Sequence, residues 1–322
     1  MKKLLINSGI LFSLLGITMA VFWNLQGYSS SDLASLLDKH NRLDSLDALG
    51  KPKIIIVGGS NCPYGFNSRL LEDSLHLPVA NLGLHAGFGL RFILNDCAEF
   101  VRKGDIVVLS PEYMEFLDKE FNGESALNEL IIGIYPGGIK KLAPGQAGRF
   151  LSNMGQYMED LISRPIRTGA ATLSGVNNTE ARKLKAYVYS RSAFNAWGDY
   201  AIPGDFHLSV RPGPEQIGGA LNLDCLTFVR KFKAYVEAKG ATLVITPQSL
   251  QRSSYDLSVS KIKEIDSCMK AMGMPFNSDC EKYALPDKYF FNTINHLDSA
   301  GQTIRTALVA DELEKIIRRS RS

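Results

Sequence analysis

The run Ile54-Ile55-Ile56-Val57, followed by Gly58-Gly59-Ser60-Asn61, constrains this chain more than any other stretch. Four β-branched residues in a row read as a fully buried strand. The two glycines let the chain turn sharply as it leaves that strand. A serine just past a buried strand lies at the carboxyl edge of a sheet, where open α/β folds bind ligands. That placement suits a nucleophile. It equally suits a tight turn into a helix, with Ser60 or Asn61 as the N-cap, and the stretch alone does not separate the two.

The same rhythm continues along the chain. Residues 66–75 read as a helix, Pro78-Val79-Ala80-Asn81-Leu82 as a short strand ending at Gly83, and residues 90–103 as an amphipathic helix stopped by Gly104-Asp105. Ile106-Val107-Val108-Leu109 is a third strand, ending in Ser110-Pro111-Glu112. This βαβαβ order predicts an α/β fold, a three-layer α/β/α sandwich with a central parallel sheet. Between about residues 116 and 216 the pattern weakens, with Pro136-Gly137-Gly138, Pro144-Gly145 and a polar run over 174–179. We read this as an insertion near the carboxyl edge of the sheet, a lid or substrate-binding element. The rhythm returns with a helix over 221–238, a strand over 241–245, a helix over 257–272, a short strand or extended stretch at 289–291 and a closing helix over 299–317.

The amino terminus obeys a different logic. Lys2 and Lys3 precede a mostly apolar run from Leu4 to Trp23. Positive residues ahead of such a run favour export of the downstream chain, and about 20 residues just span a bilayer. Residues 1–28 therefore read as a signal anchor or a signal peptide. Thr18-Met19-Ala20 offers a cleavage site, whereas the apolar continuation through Val21-Phe22-Trp23 and the interfacial Trp23 and Tyr28 favour the anchor. An anchored chain is a single-pass inner-membrane protein with its domain on the periplasmic side, and a cleaved one is secreted. Residues 29–50 read as a linker, Ser29-Ser30-Ser31-Asp32, and an amphipathic helix, with the main domain over 51–322.

Export bears on the five cysteines, of which Cys268 and Cys280 are close enough in sequence for a local disulfide. Cys62, Cys97 and Cys225 read as packing residues. The net charge of +3 is too weak to argue for nucleic acid. No Cys/His cluster has zinc spacing and no phosphate-loop signature occurs, so no metal or cofactor is expected.

A serine nucleophile needs a base, and imidazole is the usual one. Of the five histidines, His40 and His76 read as surface residues and His85 and His207 lie in loops. His296 sits in Asn292-Thr293-Ile294-Asn295-His296-Leu297-Asp298, just before the last helix, where a loop can reach the edge that carries Ser60. The ordered set of Gly58-Gly59-Ser60-Asn61, Asn81-Leu82-Gly83, the run from Gly104 to Tyr113 and His296-Leu297 resembles the four blocks of the SGNH (GDSL) hydrolase superfamily. The likeness covers roughly residues 50–318 apart from the insertion. It is closest to the exported, membrane-anchored branch found with bacterial surface polysaccharides, and Phe194-Asn195-Ala196-Trp197-Gly198-Asp199 resembles a recurring segment of that branch.

The resemblance implies a flavodoxin-like SGNH fold with Ser60 as nucleophile, His296 as base, and an oxyanion hole from the backbone N–H groups of Ser60 and Gly83. It implies Asn195, Asp199 and Glu112 as substrate contacts. It also implies an esterase or O-acyltransferase acting on acyl groups of cell-envelope polysaccharide through an acyl-serine, with polysaccharide biosynthesis or export proteins as partners. Two departures stand out. The aspartate usual three residues before the histidine is Thr293 here, and the position one residue earlier is Asn292, which can orient an imidazole without a full charge. Asp298 or Asp287 are the other acids available. The oxyanion asparagine of the third block is absent and Glu112 stands near its place, leaving Asn61 or His85 as substitute donors. These departures also fit a scaffold that binds or assembles glycan with little or no catalysis.

Overall fold

The computed structural model describes residues 27–118, 120–173, 188–201 and 212–321, with four isolated positions before residue 27. The apolar amino-terminal run lies almost wholly outside the described residues, as do His207 and the polar run over 174–179. Among the described residues no helix is long and apolar enough to cross a membrane.

The centre is a parallel sheet of β1 (Ile54–Gly58), β2 (Val79–Asn81), β3 (Ile106–Ser110) and β4 (Thr242–Ile245), in the order β2-β1-β3-β4. Ile54 pairs with Val79 on one side and Ile106 on the other, and Ile106 pairs with Thr242. Each strand lies where the sequence predicts it, within a residue or two. The β-branched run is explained by burial on both faces, as expected of a covered parallel strand. Ile55 and Val57 join Leu43 of α1 (Ser35–Ala48), Leu94 of α3 (Leu90–Ala98) and Val229 of α7 (Leu223–Ala238). Ile54 and Ile56 join Leu71 of α2 (Ser68–Leu75) and Val309 and Leu313 of α9 (Ser299–Arg321). Each of these aliphatic side chains contributes about 1.5–3 kcal/mol by leaving water. Lys53, just ahead of β1, is buried against Asp47 and Asp105 at 2.6 Å each, which ties the amino ends of β1 and β3 together.

Three expectations need correction. The helix over 29–50 is no mere lead-in, because Leu36, Leu43 and Leu46 of α1 belong to the main core. The helix from Leu90 stops at Ala98, and the chain then turns so that Arg102 N–H reaches the Asp105 carboxylate at 2.8 Å. At 289–291 there is no strand but an extended Phe290, which follows a 3-10 turn, Asp287–Tyr289, and forms a single antiparallel bridge with Leu297.

The described part of the insertion holds α4 (Ser125–Glu129), α5 (Pro144–Ser152) and α6 (Met154–Leu173), with a π-helical turn at Leu130–Ile134. Leu127, Leu130 and Phe150 join the core on the face covered by α3 and α7. The remaining long helix is α8 (Arg252–Ala271). Strands β1, β2 and β3 thus deliver Ser60, Gly83 and Glu112 to one edge of the sheet.

Candidate active site

The turn after β1 excludes the helix-cap reading of Ser60. The next helix begins only at Ser68, and its N-cap is Asn67, whose Oδ1 accepts from Leu70 N–H at 3.0 Å. Neither Ser60 nor Asn61 caps a helix. Instead Ser60 Oγ lies 2.9 Å from His296 Nε2, and His296 Nδ1 lies 2.8 Å from Asn292 Oδ1. With the amide oxygen toward the ring, Nδ1 carries the proton and Nε2 presents its lone pair to Ser60. Ser60, His296 and Asn292 thus form one hydrogen-bonded series, the relation that a nucleophile, its base and an orienting group take in acyl-transfer sites.

The loop carrying His296 is shaped by its own short polar contacts. Phe291 N–H donates to the His296 carbonyl oxygen at 2.8 Å, and Thr293 Oγ1 accepts from His296 N–H at 3.1 Å. Thr293, at the position where the resemblance places an acid, therefore shapes the turn and leaves the ring to Asn292. The Tyr64 ring stacks on the imidazole with centroids 4.1 Å apart and planes 9° from parallel. Leu297 N–H donates to the Tyr64 carbonyl oxygen at 2.9 Å, so the same residue holds ring and backbone. His296 is buried, and burial, with His85 adding like charge, pushes its imidazole down to about 3. The imidazole is therefore neutral over the whole mildly acidic and neutral range.

Neither alternative acid reaches the ring. Asp298 is the N-cap of α9, with Oδ1 accepting from Gly301 N–H at 2.9 Å. Asp287 accepts from Ser253 N–H at 3.1 Å, near the start of α8.

Of the expected oxyanion donors, Gly83 and the Asn61 amide are committed to other partners. Gly83 N–H donates to Asn81 Oδ1 at 3.2 Å and is not free for substrate. Glycine is needed there for a different reason, because a Cβ would lie 2.3 Å from the Cys62 Cβ. The Asn61 amide is also committed elsewhere, donating to the Ser110 carbonyl oxygen and Oγ at 3.2 Å each. The Ser60 N–H donates to no group among the described residues. His85 Nδ1 accepts from Gly87 N–H at 2.9 Å and caps a short turn.

Glu112 lies against the Ser60 turn. Its Oε1 is 2.9 Å from Ser60 Oγ and accepts from Asn61 N–H at 3.1 Å. A Cβ on residue 59 would lie 2.5 Å from that oxygen, so Gly59 lets the carboxyl group approach the turn. Glu112 N–H in turn donates to Glu115 Oε2 at 2.8 Å. Burial, and then the charge of Glu112, holds the Glu115 carboxyl well above the usual carboxylate range.

Two of the expected substrate contacts are structural. Asp199 is buried and accepts from Ser68 N–H at 2.7 Å, Ser68 Oγ at 2.6 Å and Asn81 Nδ2 at 2.8 Å. Asn195 Oδ1 accepts from Trp197 N–H at 2.9 Å and Asp199 N–H at 3.0 Å. Together they tie the start of α2 to the end of β2. Buried Lys39 completes this junction by donating to the carbonyl oxygens of Asn81 and Gly198. The five cysteines are free, Cys268 and Cys280 included, so the local disulfide is absent.

Tyr64 and Arg305 were not legible as site residues. Arg305 is fully buried in α9, donates to the Asn61 carbonyl oxygen and to Ser110 Oγ, and stacks 4.2 Å over Phe66. No group of three or more His, Cys, Asp or Glu among the described residues is placed to hold a metal ion. Set against family models, curated proteins and solved structures, the chain matches none.

Proposed function

We propose that this chain is a serine acyl hydrolase or O-acyltransferase of SGNH type, acting on ester-linked acyl groups of cell-envelope polysaccharide. The observation that carries the reading is the hydrogen-bonded series Asn292–His296–Ser60 at the carboxyl edge of a parallel sheet. Ser60 Oγ attacks the ester carbonyl carbon while its proton passes to His296 Nε2. The backbone N–H groups of Ser60 and Asn61 face the developing oxyanion once Glu112 yields the position. The C–O bond to the alcohol then breaks, and His296 returns the proton to the leaving oxygen. Water or a sugar hydroxyl takes the acyl group from Ser60 by the reverse steps.

The order of blocks along the chain supports the flavodoxin-like SGNH form of the α/β fold. The leading lysines and apolar run support anchorage in the inner membrane with the domain on the periplasmic side, among proteins of polysaccharide biosynthesis or export. Reaction of the full-length chain with a fluorophosphonate, followed by mass spectrometry, tests the nucleophile. The expected result is one adduct on Ser60, absent from Ser60→Ala and His296→Ala.

One observation favours a second reading. A carboxylate on the oxyanion position and an uncharged group behind the histidine suit a glycan-binding or assembly protein that keeps the scaffold without efficient chemistry. No adduct in folded wild-type protein, with glycan binding retained in Ser60→Ala, selects that reading over the first.

A further inference from the structure

A buried backbone carbonyl needs a donor, and the turn that carries Ser60 almost meets this need by itself. The carbonyl oxygens of Gly59 and Ser60 accept from the N–H groups of Cys62 and Tyr64 at 3.2 Å each, and that of Cys62 accepts from Phe66 N–H at 3.1 Å. Those of Pro63 and Tyr64 accept from Tyr200 and Leu297 N–H at 2.9 Å each. From Gly59 to Tyr64, the Asn61 carbonyl oxygen is the one that no backbone N–H reaches among the described residues, and Asn61 is fully buried. Arg305 supplies the missing donor. Its Nη1 donates to that oxygen at 2.5 Å, and its Nη2 donates to Ser110 Oγ at 2.5 Å. Ser110 Oγ also accepts from Asn61 Nδ2, so one guanidinium holds both the backbone and the side chain of Asn61, the latter through the end of β3.

Stability alone does not account for this arrangement. A guanidinium stays charged, yet Arg305 is fully buried and forms no ion pair among the described residues. Its Nε has no partner there either. Burying a charge in this way is unfavourable, and an apolar side chain of similar volume packed on Phe66 would serve stability better. The chain also gives up a side chain to admit the group. A Cβ on residue 65 would lie 2.0 Å from Nη1 and 2.2 Å from the Asn61 carbonyl oxygen, so Gly65 is what lets the two meet.

What the buried cation secures is the position of the turn. Arg305 stands in the second turn of α9, and the loop carrying His296 runs straight into the start of that helix. The Ser60 turn is thus tied to the 296–305 segment at two points, Tyr64 to Leu297 and Asn61 to Arg305. We propose that Arg305 is a positioning residue for the Ser60 nucleophile, locking the β1 turn onto α9 and so fixing the 2.9 Å approach of Ser60 Oγ to His296 Nε2. It acts through Asn61 and Ser110 and does not itself touch the reacting atoms. The inference rests on the acyl-serine reading and names the contact by which the fold sets the distance between nucleophile and base.

The test follows fluorophosphonate labelling of Ser60 in full-length wild type, Arg305→Met, Arg305→Lys and Val309→Ala. Varying the reagent concentration separates the maximal labelling rate from the half-saturating concentration, and melting temperatures establish that each protein is folded. Methionine has a similar length and no donor, whereas lysine keeps a charge and a donor without the planar fork. Val309, fully buried one turn further along α9, reports what loosening the helix alone does. A misplacement of about 1 Å costs about 10²-fold in rate. Arg305→Met is therefore expected to lower the maximal rate by about 10²-fold with the half-saturating concentration unchanged. Arg305→Lys should recover most of that loss, and Val309→Ala should label like wild type. A folded Arg305→Met that labels at the wild-type rate overturns the proposal. So does a loss confined to the half-saturating concentration, an equal loss in Val309→Ala, or a lysine variant as slow as the methionine one. If Arg305→Met does not fold, Ser110→Ala takes its place, with slower labelling expected and a wild-type rate overturning the proposal. Absence of labelling in wild type instead overturns the acyl-serine reading beneath it.

Discussion

Asn292→Asp tests how much the uncharged group behind His296 costs. The amide oxygen is 2.8 Å from Nδ1, so a carboxylate there lies roughly 4 Å from the centre of an imidazolium charge. At an effective dielectric of about 20 that attraction is about 4 kcal/mol, or about three powers of ten in rate if it appears wholly in the transition state. Asn292 is half-buried, so desolvation of the new carboxylate takes back part of the gain. A rise of about 10²–10³ in Ser60 labelling at neutral pH is expected, below the factor of about 10⁴ tied to the reverse change in a serine protease. The same charge stabilises the protonated ring and lifts His296 from about 3 back toward its ordinary range. The variant should therefore lose labelling on acidification where wild type does not. The assay is the pseudo-first-order rate of fluorophosphonate adduct formation, read by intact-protein mass spectrometry across pH. A variant that melts like wild type but labels no faster at neutral pH shows that imidazolium stabilisation does not limit this site, and the reasoning fails.

Three further outcomes rest on named contacts. His296 stays neutral in the folded protein down to about 3, whereas the unfolded chain takes up that proton near 6.5. Folding is therefore weakened as pH falls through this window, by about 1.4 kcal/mol per unit, and urea unfolding of His296→Gln should lack this contribution; parallel pH curves for the two proteins would show that the fold does not exclude the charged ring. Glu115 is held neutral in the fold but ionises in the unfolded chain, so its contribution is full below the ordinary Glu range and is lost as pH rises. Glu115→Gln keeps an acceptor for Glu112 N–H and should raise the urea midpoint, with a margin that grows toward neutral pH. Asp298→Ala removes the cap on Gly301 and should cost about 1 kcal/mol of stability with Ser60 labelling unchanged, whereas loss of labelling in a folded variant would return Asp298 to the site.

The strands were legible because burial on both faces demands unbroken β-branched runs, and Ile54 to Val57 and Ile106 to Leu109 have no other reason to be so apolar. The pairing of Ser60 with His296 was legible through the order of blocks, since carboxyl-edge loops converge whatever their separation in sequence. The features that escaped detection depend on contacts between distant elements. Asn195 and Asp199 looked like substrate contacts because polar turn residues carry no mark of their partners, and those partners, Ser68 and Asn81, come from α2 and β2. Gly83 looked like an oxyanion donor because a glycine after a strand has that use; here it is a glycine because Cys62 presses on it. The stacking of Tyr64 on the imidazole and the reach of Arg305 to the serine turn leave no periodic or compositional trace.

The two departures from the expected site act on opposite halves of one charge-separated state. Acylation creates an imidazolium and an oxyanion together. The usual site sets a negative charge behind the first and neutral donors around the second. For the acyl transfer proposed, an amide stands behind His296 and the Glu112 carboxyl group stands beside Ser60, so both halves lack their usual support. Restoring either half alone should recover part of the rate, Asn292→Asp through the imidazolium and Glu112→Gln through the oxyanion. The two positions flank the same reacting atoms, so their effects need not add. Asn292→Asp also brings the acid limb that a raised histidine imposes. The double variant should thus behave as a conventional Ser–His centre, fast at neutral pH and silenced by acid.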